Sequence, residues 1–169
     1  QLYVNGERAV LARQPNEGST WFAGTPVPVP GEPANALGHE AFQASRPARD
    51  FMRQLSADDR ARALVHVMQS WSSGRHRLAS GTPEDALRLS PRAPWPYLFF
   101  GTNQRYWVEN VAAAYDAPGE WIGGAAGVRY RLAPGDTSPS TALLPLLRQL
   151  VVVAGDGPGG TPVQHLELI

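Results

Sequence analysis

"ALVHVMQSW", running from Ala63 to Trp71, decides the architecture. Val65, Val67, Gln69 and Trp71 alternate with His66, Met68 and Ser70, a period of two that belongs to a strand covered in part on both faces. "RHRLAS" (Arg75–Ser80) and "ALRLS" (Ala86–Ser90) read as its neighbours, separated by Gly81-Thr82-Pro83. Consecutive strands joined by short turns predict an antiparallel sheet.

Upstream, Ser45 followed by Pro47 is a good helix start, with Ala48, Phe51, Met52 and Leu55 at helical spacing. Ser56 offers a second N-cap, and Asp58 and Asp59 fall in the first turn, where the helix dipole favours acidic groups. We expect two short helices or one bent one. Further back, Gly18–Gly38 is dense in glycine and proline and reads as an extended surface loop. "LYVNGERAVLAR" reads as a hairpin, its Asn5-Gly6 pair supplying the positive φ angles of a tight turn.

Downstream, the proline-punctuated "RAPWPYLFFG" is expected to be a buried or ligand-facing loop. In "YWVENVAAAYDAPGEW" (Tyr106–Trp121), Trp107, Val111, Ala114 and Tyr115 fall at the spacing of one helical face, so the pattern predicts a helix that Asp116-Ala117-Pro118-Gly119 terminates. "EWI" and "VRYRL" are expected to pair across "GGAAG", with Val128, Tyr130 and Leu132 inward. "QLVVVAG" reads as a last strand before a glycine-rich loop and "PVQHLELI".

A chain of 169 residues fits one domain, or one plus part of a neighbour. Fifteen basic and fifteen acidic groups cancel, leaving no net field to gather nucleic acid or an anionic membrane, so neither is an expected partner. Every basic side chain is arginine, which most simply reflects coding bias. No cysteine is present, which excludes disulfides, thiolate metal sites and cysteine nucleophiles. No apolar run reaches the roughly twenty residues of a membrane helix, and the first ten residues lack signal-peptide character. Both ends read as cut from something longer.

The chemical candidates are few. "GDGPGGT" (Gly155–Thr161) lacks the Gly-Lys-Ser/Thr ending and following helix of a phosphate loop and reads as a turn. His39, His66, His76 and His165 show no metal-ligand spacing, so neither metal nor cofactor is expected. Arg75 and Arg77 would lower the pKa of His76, whose expected role is a hydrogen bond at a strand end. Glu109, Asp116 and Glu120 stand near aromatics, in positions better suited to capping and hairpin support than to acid/base work. Trp71, Trp95, Trp107 and Trp121 suit either a core or a sugar ring. Trp71 with Arg75 and Arg77 could form a polar-ligand wall.

Taken together, "LYVNGERAVLARQPN", "VHVMQSWSSGRHRLAS", "APWP", "YWVENVAAAYDAPGEW", "GVRYRLAPGD" and "LRQLVVVAGDGPGGTPVQHLEL" resemble, in order and spacing, the N-terminal part of bacterial right-handed parallel β-helix proteins of the kind found in glycoside hydrolase family 141. The resemblance implies a mainly β fold: an antiparallel sandwich or barrel-like domain with two or three short helices, inserted beside a parallel β-helix. It divides the chain into an opening hairpin (1–16), the inserted domain (17–146) and return strands into the solenoid (147–169). It also implies a secreted or periplasmic protein and catalytic carboxylates on coils beyond Ile169, so no catalytic residue is assigned here. The expected partners are an oligo- or polysaccharide and the remaining β-helix. Arg13, Asn16, Trp71, Arg75, Arg77, Trp95, Glu109 and Asn110 are the candidates for a substrate groove, or for bracing the domain against it. One departure is the small, flexible Ile122–Gly127, where the family has a Tyr-Leu-Asp-like strand and polar turn. The function expected is that of an accessory, groove-shaping domain; a free-standing carbohydrate-binding module and a purely structural insert are the alternatives.

Overall fold

A computed structural model describes residues 1–29, 39–69, 71–79, 85–98, 101–124, 127–136, 138, 141–146, 154, 156–161 and 163–164. In chain order these form β1 (Tyr3–Val4), β2 (Glu7–Arg8), β3 (Val10–Leu11), β4 (Arg13–Gln14), β5 (Trp21–Phe22), β6 (Ala41–Gln43), α1 (Arg46–Arg53), α2 (Ala57–Arg62), β7 (Leu64–Gln69), β8 (Ser72–Leu78), β9 (Ala86–Ser90), β10 (Arg105–Glu109), a 3-10 turn (Ala112–Ala114), β11 (Glu120–Gly124), β12 (Gly127–Tyr130) and β13 (Ala142–Leu143). The domain is mainly β, as expected, and none of the described sheets closes into a barrel. The strands predicted at "QLVVVAG" and "PVQHLELI" fall largely outside the described residues, as does His165.

Seven strands make the central sheet, in the order β4-β10-β7-β8-β9-β6, with β5 beside β4 on the same edge of β10. Its β7–β8 hairpin runs in register from Leu64↔Arg77 to Gln69↔Ser72, the antiparallel pairing that the period-two reading requires. One face carries Val65, Val67, Tyr106 and Val108, all fully buried. Against it pack Ala48, Met52 and Leu55 from α1 and its C-terminal end, together with Phe42, Leu87, Leu89 and Tyr97. Burying each large apolar side chain contributes on the order of 2 kcal/mol, so this single layer dominates stability. His76 joins that face: its Nδ1 lies 3.1 Å from the Pro91 carbonyl, and its ring meets Tyr97 edge-on. Its pKa is lowered chiefly by burial, with a smaller push from His66, whereas the sequence pointed to Arg75 and Arg77.

Both helices start where the sequence signals place them, although Ser45, at the start of α1, makes no side-chain capping bond. Ser56 Oγ accepts the Asp59 amide at 3.1 Å and caps α2. Asp59 Oδ1 in turn takes Arg62 and the Ala112 amide, each at 2.7 Å, and so ties α2 to the 3-10 turn. The Asn5-Gly6 turn forms with φ of 51° and 84°, and β1 pairs with both β2 and β13.

Three expectations are corrected. Residues 105–109 are a strand, not a helix, and the helical part of the stretch shrinks to the 3-10 turn. Asn110 adopts φ 63°, donates its backbone N–H to Ala12 and its side-chain amide to the Arg62 carbonyl at 3.3 Å, and so ends β10. The glycine- and proline-rich stretch is not all surface, since β5 pairs with β10 and Trp21, Ala23 and Val29 are buried. Across the β11–β12 hairpin the pairing is as expected, yet Val128 and Leu132 are exposed.

A small sheet, β12-β11-β3, lies near the other face of the central sheet, with β3 parallel to β11. The chain steps from this sheet into β4 at Ala12, which is fully buried. Its N–H donates to Trp121 at 2.8 Å, and its carbonyl accepts from Asn110 at 2.9 Å.

Candidate functional site

Strand alternation builds the site. In β10, Tyr106 and Val108 point into the core, so Trp107 and Glu109 must point to the opposite face. His66 of β7 stands opposite Trp107, Arg75 of β8 opposite His66, and Arg13 of β4 opposite Glu109. Four neighbouring strands therefore set Arg13, Trp107, His66 and Arg75 side by side. The Arg13 guanidinium lies 4.1 Å from the Trp107 ring centroid, and the His66 ring 4.2 Å from it.

Glu109 lies beneath this row, 4% exposed. Its Oε1 accepts the Trp107 indole N–H at 2.6 Å, and Arg75 Nε lies 2.9 Å from Oε2. His66 Nδ1 stands 3.5 Å from Oε1, at the outer limit of hydrogen bonding, and both His66 ring nitrogens are buried without a hydrogen-bond partner. The His66 imidazole and the Glu109 carboxylate thus lie against each other at the limit of a hydrogen bond. Burial raises the Glu109 pKa, but His66, the Trp107 hydrogen bond and the Arg75 charge outweigh it and hold the carboxyl below its ordinary value. A carboxylate held ionised in this way is poorly suited to donate a proton near neutral pH.

Arg13 is locked from behind. Its Nε donates to the Pro15 carbonyl at 2.8 Å and its Nη2 to that of Ser19 at 2.7 Å. Burial lowers its pKa, opposed by Glu109, Glu17 and Glu120, and it stays a cation. Over this row opens a pocket of about 330 Å³, walled on the far side by Val10, Leu11 and Trp121 of the small sheet and rimmed by Arg8 and Glu17.

Of the eight candidates read from the sequence, the fold brings Arg13, Arg75 and Glu109 together. Asn110, one residue on, turns away to Arg62. Asn16 sits in an exposed turn whose carbonyl accepts the Ser19 amide, and Arg77 reaches the Ala61 carbonyl at 3.4 Å. Trp71, 65% exposed at the tip of the β7–β8 hairpin, packs on Trp95 with ring centroids 5.1 Å apart. The Trp71–Arg75 wall is thus split between two places. His66, Arg8 and Glu17 escaped the sequence reading, while Trp107 and Trp121, weighed there as core or sugar-stacking residues, were not among its groove candidates; alternation across 105–109 was the signal that Trp107 faces the pocket. Glu120 does support its turn, accepting the Asp116 and Ala117 amides at 3.0 and 2.9 Å. Among the described residues no group of three His, Asp or Glu could hold a metal, and no helix is long and apolar enough to cross a membrane.

No protein-family model and no curated protein matches this chain. Among solved structures, a glycoside hydrolase is similar over 80% of this chain, with 22% identity and a TM-score of 0.52. The chain spans only 24% of that enzyme, so the likeness is one of fold to a part of it.

Proposed function

We propose that this domain is an accessory, groove-shaping part of a glycoside hydrolase with a parallel β-helix of the family 141 kind, and that its outer sheet face touches plant or microbial polysaccharide. The observation that carries the reading is the Glu109 cluster: aromatic and guanidinium groups are held rigidly around an open pocket, while the buried carboxylate is kept ionised. Such a site orients a ligand and supplies no general acid. The ordered motifs of the sequence and the fold likeness to a quarter of a glycoside hydrolase support the same reading. On it, the remaining β-helix brings the reacting carboxylates, and residues 147–169 lead into it.

Incubating the 169-residue chain with aryl glycosides and with a polysaccharide panel tests the reading. Saturable glycan binding without turnover is expected; robust hydrolysis would overturn the accessory role, and loss of all glycan binding would overturn the carbohydrate contact. The exposed Trp71–Trp95 pair favours a second reading, a binding module that stacks sugars at the hairpin tip. Binding abolished by Trp71→Ala and untouched by Arg75→Gln would select it.

A further inference from the structure

Resting on the carbohydrate reading, we propose that the pocket between the central sheet and β11 is a subsite for a carboxylate-bearing sugar chain, an oligouronide. The rim and floor hold three guanidiniums, Arg8, Arg13 and Arg75, against two carboxylates, Glu17 and Glu109. Glu109 is already engaged: Trp107 donates to one oxygen and Arg75 pairs with the other. An incoming anion therefore meets a compensated carboxylate and a surplus of guanidinium.

The donors are placed to use that surplus. Arg13 engages Pro15 and Ser19 through Nε and Nη2, and Arg75 engages Glu109 through Nε and Nη2, so among the described residues the Nη1 group of each makes no hydrogen bond. The Arg75 side chain is 46% exposed, within reach of a ligand. Between the two arginines the His66 ring lines the pocket wall, with its nitrogens buried beneath it.

Arg13 and Arg75 come from strands at the two ends of the row, β4 and β8, and their side chains lean inward, Arg13 onto Trp107 and Arg75 onto Glu109. A chain laid along the row therefore meets a guanidinium at each end, which suits an oligosaccharide that carries acidic units. Each free Nη1 group favours a carboxylate oxygen, which accepts a charge-assisted hydrogen bond. The Trp107 ring already stands beside Arg13 and His66, so the apolar wall left for sugar C–H groups is Trp121 with Leu11.

Calorimetric titration of the whole chain with trigalacturonate, with its methyl ester and with sodium sulfate tests the assignment. Trigalacturonate should bind, weaken as salt rises, and lose about tenfold in affinity in Arg75→Gln, the scale of one charged hydrogen bond. Because Arg75→Gln strips Glu109 of its counter-charge, Arg8→Gln at the exposed rim is the second variant, with a loss of about threefold expected from a rim charge. Equal affinity for the ester would overturn the uronide assignment and leave the carbohydrate reading standing. Displacement by sulfate at matched concentration would reduce the pocket to a general anion site and overturn it as well. Absence of binding by every saccharide would defeat both readings.

Discussion

The two faces of the central sheet are cut from the same strands, and they are held by different physics. On the inner face Tyr106 and Val108 of β10 meet Val67 and Val65 of β7, all without solvent contact. On the outer face the intervening Trp107 and Glu109 meet His66 and, through Glu109, Arg75. The inner face is non-directional and gains in proportion to the area it hides. The outer face depends on a few directed contacts around one charge, each worth less in net stability and more in shape. One strand thus serves the core with its even positions and the pocket with its odd ones.

That contrast is open to direct attack. Tyr106→Ala on the inner face should cost about 3–5 kcal/mol in denaturant-induced unfolding, the range for truncating large buried aromatics. An equal cost for Trp107→Ala would abolish the distinction between the faces. Gly74→Ala, also on the inner side, should cost about 1–3 kcal/mol, because the new Cβ would lie 2.5 Å from His76 Nε2 inside a packed layer. An unchanged unfolding midpoint there would mean that the His76 ring is free to yield.

Glu109→Gln should cost about 1–2 kcal/mol near pH 7, and this deficit should depend on pH in a definite sense. The folded carboxyl titrates below its ordinary 4.5, so its contribution is complete above that value and is lost as pH falls through the folded pKa. The wild-type and variant midpoints should therefore converge on acidification below the ordinary carboxyl range; a constant gap would show that Glu109 acts by packing alone. Smallest of all, Trp71→Ala should shift stability by less than about 1 kcal/mol in a thermal melt, since the side chain is mostly in water beside Trp95.

How much of this could be read from the sequence follows from the range of each interaction. The Asn5-Gly6 turn, the Ser56 cap and the β7–β8 alternation are decided within a few residues, and they form as read. The stretch 106–115 misled because Trp107, Val111, Ala114 and Tyr115 satisfy a helical period across what is in fact a strand, a left-handed Asn110 and a 3-10 turn. Tyr106 and Val108, which alternate with Trp107 and Glu109, argued for the strand. The pocket was illegible for a different reason. Arg13, His66, Arg75 and Glu109 come from four strands, and only the pairing order of the sheet brings them to one row. Residue type could nominate Arg13, Arg75 and Glu109, but it could not separate Arg75 from Trp71 or reveal His66.

Ala12 carries a consequence for how the domain comes apart. Its amide is bonded to Trp121 of the small sheet, and its carbonyl to Asn110 at the end of the central sheet. Its own side chain is only a methyl group, and the residue is fully enclosed. Hinging the small sheet away would break one of these two bonds, whichever layer Ala12 stays with, inside a fully enclosed seam. In a hydrogen-exchange experiment the amides of Ala12 and Asn110 should both become labelled far behind the hairpin tips.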